Sequence, residues 1–343
     1  MELDLAESPN DPTVLLRASN SYSAQARILN AKGQFKEGLA KFKRSAEIRE
    51  DLLKRTPSDA SALRNMMISY GHLGDSHNAP GVPELKDADA AKAYYLKAVA
   101  IAERLVKADK VDIRSKYDLG NALSRLGSIL SRAQDHAESM AVLQRAVDAF
   151  EEVRKSDPSV LVYSADLATV LITRGDRYGE ASKIEDAKSS YERSVALSDW
   201  VLSKDKTAIR SDATVFIALK KMALLKASIG DRNGALDAAD SLLSRARQMS
   251  PDQRVRNGRF EPLAYYWQGS VYEILARQNQ SASRLADWKS AQEAYRMSEA
   301  GWLKLTDVQI LLSRPRSCDT LPARFSNQQA LTRIDFGGPV FRT

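Results

Sequence analysis

The sequence predicts an all-α fold, an α-solenoid of about six long antiparallel helix pairs, and three observations carry that prediction. Turn-forming residues are scarce, with 16 Gly and 11 Pro in 343 residues. Apolar residues recur at the i, i+3, i+4, i+7 spacing of a helix face, as in Leu123, Leu126, Gly127 and Leu130. One arrangement of small and large residues then returns about every 48 residues, the mark of a repeat architecture.

The arrangement joins two helices. A small residue on the first helix is followed after 12 positions by a small residue on the second, then by an aromatic or Leu four further on, then by another position three beyond that. Where two helices cross, small residues let the backbones approach while larger neighbours fill the flanking grooves. In chain order the first unit has Ala26, Gly38, Phe42 and Ser45. The second has Gly74, Ala91, Tyr95 and Ala98, with five extra residues between its helices. The third is Gly127, Ser139, Leu143 and Ala146, and the fourth Gly175, Ala187, Tyr191 and Ser194. The fifth is Ala223, Ala235, Ala239 and Leu242. The sixth is Gly269, Ala291, Tyr295 and Ser298, with ten extra residues.

The first small position steps by 48, 53, 48, 48 and 46 residues. Thr56-Pro57, Asp109-Lys110, Asp157-Pro158 and Asp205-Lys206 stand in register where the second helices should stop, consistent with the exclusion of proline from helix interiors. The units are expected at about 13–57, 58–110, 111–158, 159–206, 207–251 and 252–307, forming one repeat domain over 1–307. An irregular tail follows over 308–343. The insertion at 76–86, with Pro80, Gly81 and Pro83, is expected to be an irregular loop projecting between the helices of the second unit. Tyr265, Tyr266, Trp267, Tyr272, Trp288, Tyr295 and Trp302 make the last unit aromatic-rich, which suits closing one end of the array.

The series Leu126-Gly127, Ser139, Leu143, Ala146 and Asp157-Pro158 resembles the tetratricopeptide repeat (TPR), over roughly residues 13 to 307. The resemblance implies a right-handed superhelix whose first helices line a concave groove for a partner peptide or helix. The period is about 14 residues longer than the usual 34, or two extra turns per helix. Segments such as "LRNMMISYGHLGD", "AAKAYYLKAVAIAERLVKAD", "YYWQGSVYEILA" and "DWKSAQEAYRMSEAGW" are similar to the TPR region that follows the kinase domain in some bacterial eukaryotic-like serine/threonine kinases. That similarity implies a signalling context, although the sequence has no glycine-rich loop, His-Arg-Asp or Asp-Phe-Gly motif of a kinase.

Function is therefore expected on the groove: a protein-interaction scaffold binding a protein or peptide, not an enzyme. Candidate groove residues lie next to the first small position or about one turn before it: Ser23, Arg27, Asp75, Ser124, Ser128, Asp176 and Lys220. His72, Asn121, Arg125 and Tyr266 neighbour them on the same helices. TPR proteins that clamp a chaperone carboxylate use Lys and Asn, then Asn, then Lys and Arg. The matching places here hold Ser23 and Arg27, then His72, then Asn121 and Arg125, so only Arg125 keeps its type. Arg27 and Arg125 retain the charge to bind an acidic peptide.

Other classes are weaker. No residue is assigned to catalysis, a metal or a cofactor: His72 and His77 lack metal-pair spacing, and Cys318 is the single cysteine. Of the formal charge of +7, residues 245–261 and 308–343 each contribute +3, so no basic stripe follows the repeats. The alternative function, a basic helical-repeat protein binding nucleic acid or another anionic surface, rests on those two segments. The acidic start MELDLAESPNDP and the lack of a long apolar run argue against a signal peptide or membrane span. A cytoplasmic location is expected, with an extracytoplasmic one as the alternative if the region lies downstream of a membrane-anchored kinase.

Overall fold

The computed structural model describes residues 8, 10–79, 82, 85–132, 136–249, 258–279 and 283–309. Among them are twelve helices and no strand. They run α1 (Pro12–Ala31), α2 (Phe35–Arg55), α3 (Ala60–His77), α4 (Ala88–Ala108), α5 (Ile113–Arg132) and α6 (His136–Ser156). The second half has α7 (Leu161–Glu180), α8 (Ile184–Lys204), α9 (Ile209–Ser228), α10 (Arg232–Gln248), α11 (Phe260–Gln278) and α12 (Arg284–Gln309). Each odd-numbered helix packs antiparallel on the even-numbered helix that follows, giving a TPR-like α-solenoid.

Local chemistry sets the helix ends. Asp11 stands before Pro12 and accepts the Thr13 and Val14 amides at 2.7 and 3.1 Å, a proline start with an acidic cap. Asp59, Asp87 and Asp231 cap α3, α4 and α10 in the same way. The stops repeat as well. Asp109, Asp157 and Asp205 each turn their carboxylate onto the amide two residues ahead, at 2.8–3.0 Å, closing an Asx turn between units.

The small positions seat the large ones. A Cβ on Gly127 would lie 2.6 Å from Leu143 Cδ2, and one on Gly175 would lie 2.6 Å from Tyr191 Cε1. The Tyr95 and Tyr295 rings cover Gly74 and Gly269 in the same fashion. One cluster of buried residues runs from Ala26 to Leu171, joining the first seven helices. Beyond it the core divides: Val215, Phe216 and Leu219 of α9 pack with Leu242 and Leu243 of α10 and Phe260 of α11, while Ala223, Ala227, Ala235, Ala238 and Ala239 line the half of the same pair near its turn.

First helices also pack on first helices, α5 on α7, α7 on α9 and α9 on α11, more closely than second helices do on one another. That asymmetry curves the array and places the odd-numbered helices on its inner side. Polar rungs lock these neighbours. Arg64 reaches Asp118 at 2.6 Å and Asp112 at 3.0 Å, Tyr117 reaches Asp166 at 2.6 Å, and Arg210 pairs with the same buried Asp166. Arg49, 5% exposed, spans three helices by donating to Ser19, Asn20, Asn65 and Ser69 without any carboxylate.

The insertion differs from its expectation. α3 runs across Gly71 and Gly74 through His77 and stops ahead of Pro80, so residues 76 and 77 are helical. Val82 is buried and Leu85 packs against the core, which folds these parts of the insertion back onto the molecule. Residues 80, 81, 83 and 84 lie outside the described residues, as does 310–343, the bulk of the expected tail with Cys318.

Candidate functional site

The inner face is a row of paired positions, one residue after the small position of one unit and two before that of the next. Asp75 and Arg125 form such a pair and are ion-paired with each other. Asp176 and Lys221 form another, at 3.0 Å. Tyrosines of the second helices complete both: the Tyr95 hydroxyl donates to Asp75 at 2.8 Å and the Tyr191 hydroxyl to Asp176 at 2.7 Å. Burial pushes both phenols up, and the adjoining carboxylates act in the same direction. They remain protonated donors.

Between α1 and α3 lies a crevice of about 220 Å³, lined by Arg27, Asn30, Phe35, Phe42, His72 and Asp75 among others. His72 stacks on Phe42, with ring centres 4.7 Å apart and planes inclined by 17°. Burial pushes its imidazole down; Asp75 opposes this and Arg125, Arg49 and Arg27 reinforce it, so the ring is neutral at pH 7. Arg27 is exposed and has neither ion-pair nor hydrogen-bond partner among the described residues. The buried Asn30 Oδ1 also lacks a donor.

The other sequence candidates divide. Ser23 is buried, its hydroxyl 2.8 Å from that of Ser45, so it stitches α1 to α2. Asn121 donates to the Tyr117 carbonyl of its own helix at 3.2 Å, and Ser124 and Ser128 are half-buried on α5. Lys220 stands over the Trp267 ring, 4.3 Å from its centre. Tyr266 meets Trp267 edge-on at 4.9 Å and Tyr295 at 5.6 Å. The structure thus brings together Arg27 with His72, Asp75 with Arg125, and Lys220 with the aromatic end.

Sequence reasoning passed over Lys221 and assigned Trp267 to the aromatic end, not to the groove. Both occupy the same register as His72 and Arg125, two residues before the small position, so reading that column through every unit would have found them.

Elsewhere, Arg245 makes a two-pronged contact with Asp199 at 2.6 and 2.7 Å, and Arg247 pairs with Glu261 at 3.4 Å. Those two arginines of the basic segment are used within the fold, while Arg254 and Arg256 lie outside the described residues. His136 opens α6, 3.5 Å from Glu180. Among the described residues no cluster of His, Cys, Asp and Glu is arranged to hold a metal, and no helix is long and apolar enough to cross a membrane.

No protein-family model matches the sequence, and no curated protein matches it. The fold has solved counterparts. BtubC (BKLC) from P. vanneervenii superposes with a TM-score of 0.57 at 14% identity, over 79% of this chain and 92% of that one. The S. pombe nuclear import adaptor Nro1 superposes with a TM-score of 0.51 at 14% identity, over 85% of this chain and 95% of that one. At such identities the similarity is one of fold.

Proposed function

We propose that the protein is an interaction scaffold, not an enzyme, whose repeat domain over 1–307 binds an acidic segment of a partner protein along its inner face. The observation that supports this most directly is Arg27, an exposed guanidinium without an acid partner, beside a crevice walled by Phe35, Phe42 and His72. Asp75 is already neutralised by Arg125, so the local field favours an anion, and the stacked rings offer apolar contact next to it. The name of Nro1 as an adaptor agrees with such a role. Ser124, Ser128, Asp176 and Tyr266 would meet the same segment further along, and the kinase-associated sequence similarity suggests a serine/threonine kinase signalling system as its setting.

The test is affinity capture from source-cell lysate, with and without nuclease and at low and high salt, followed by titration of the recovered protein against groove variants. A protein retained after nuclease and high salt is expected, with Arg27→Ala and Arg125→Ala each weakening it about tenfold, roughly 1.4 kcal/mol. Unchanged affinity in Arg27→Ala, Arg125→Ala and Lys220→Ala would reject the groove. Recovery of nucleic acid only at low salt would favour the anionic-surface reading.

A further inference from the structure

The inner face holds a second cation without an acid, four units away from the Arg27 crevice. Lys220 on α9 is half-buried, with its ammonium 4.3 Å from the centre of the Trp267 ring on α11. Among the described residues it has no ion-pair or hydrogen-bond partner. The nearby carboxylate is already committed: Asp176 on α7 takes Lys221 at 3.0 Å on one oxygen and the Tyr191 hydroxyl of α8 at 2.7 Å on the other. An indole face attracts a cation but is no substitute for an anion. One turn to either side on the same helix face stand Ile217, 41% exposed, and the half-buried Leu224.

We propose that Lys220 and the Trp267 face form a carboxylate site on the inner surface, taking an aspartate or glutamate side chain whose sequence neighbours are apolar. One unpaired ammonium in apolar surroundings matches a single negative charge. A doubly charged phosphate would leave part of its charge unmet in a half-dry site. The site rests on the groove reading for its occupant, a peptide, but not on Arg27.

Its charge state gives it a signature. Burial pushes the Lys220 amine down to about 8, Lys221 on its own helix acts in the same direction, and Asp176 from α7 opposes them. α8 and α10 set no further charge against it, and α11 contributes the Trp267 ring. A bound carboxylate favours the protonated amine and lifts it back toward the ordinary lysine value near 10.4. Affinity is then level between about pH 6 and 8, where the peptide carboxylate is ionised, and falls up to tenfold per pH unit between about 8 and 10.

The experiment titrates acetyl-Leu-Glu-Leu-amide, and its Gln counterpart, into the full-length protein while the Trp267 indole signal, assigned with Trp267→Phe, is followed by NMR. The expected result is saturation of that signal below about 10 mM by the Glu peptide alone, loss in Lys220→Met, and the stated fall above pH 8. Lys220→Arg should keep binding and abolish the fall, because a guanidinium does not titrate there. No response by about 10 mM, equal response to the Gln peptide, or an affinity independent of pH to 10 would overturn the site. Loss in Arg27→Ala with Lys220→Met unaffected would overturn it too, while leaving the groove reading intact.

Discussion

At the scale of single residues, glycine is used here for close approach. Gly127→Ala would press its methyl into Leu143, 2.6 Å from the built Cβ, and should cost about 1–3 kcal/mol in urea unfolding. Gly71, in the middle of α3, has nothing within 4 Å of a built Cβ. Gly71→Ala should therefore stabilise by about 0.5–1 kcal/mol through helix propensity alone. A loss in Gly71→Ala, or no loss in Gly127→Ala, would show that backbone approach is not what the small positions are for. Tyr191→Phe removes the hydroxyl that Asp176 accepts and should cost about 1–2 kcal/mol, with the Lys221 pair left standing.

At the scale of elements, ends and seams are fixed by polar groups whose partners lie in other helices. Asp287, buried at the start of α12, takes two hydrogen bonds from Arg232 at the start of α10, at 2.6 and 2.9 Å. The Arg232 hydrogen bonds hold its carboxyl below the usual range, against the opposing effect of burial. A depressed folded value means that this stabilisation is complete above the unfolded carboxyl value near 3.9 and is lost as pH falls through the folded value. Asp287→Asn should accordingly cost about 1.5 kcal/mol at pH 7. The gap from wild type should begin to narrow below about pH 4 and close as pH falls through the lower folded value; a gap that does not narrow with acid would mean packing, not charge, holds the two helices. Arg49 makes the same point without an acid: Arg49→Ala would remove the donors to Ser19, Asn20, Ser69 and the Asn65 carbonyl at the junction of α1, α2 and α3 and should cost about 3 kcal/mol.

At the scale of the molecule, each unit touches only its neighbours, so stability is a sum of unit and seam terms. The seams are unequal. The continuous core through the first seven helices gives way beyond them to smaller separate clusters, one of them lined on α9 and α10 by alanines, and each alanine buries less apolar surface than the leucines and valines of the first core. Amide hydrogen exchange should show the slowest opening in α4 to α7, and faster opening in α9 and α10 and in α1. Uniform protection across all twelve helices would mean a single cooperative unit instead.

The fold was legible because repetition makes the sequence test itself: a small residue at Gly127 could be accidental, but its return at Gly175 and Ala223 with the same intervals could not. The helix pairs and the stops between them were readable from that period, while the choice of the first helices as the inner face came from the resemblance to the tetratricopeptide repeat. The site was less legible. Sequence spacing places Arg27, Asp75, Arg125, Asp176 and Lys220 on related faces alike, yet Asp75 with Arg125 and Asp176 with Lys221 neutralise one another across units, while Arg27 and Lys220 keep an unmet charge. Periodicity belongs to each helix and its immediate partner, so the sequence alone determined the helical-repeat architecture. Pairing depends on the stagger between helices some 45 to 50 residues apart, as the separations of Asp176 from Lys221 and of Asp75 from Arg125 show, and that stagger exists only once the units have stacked.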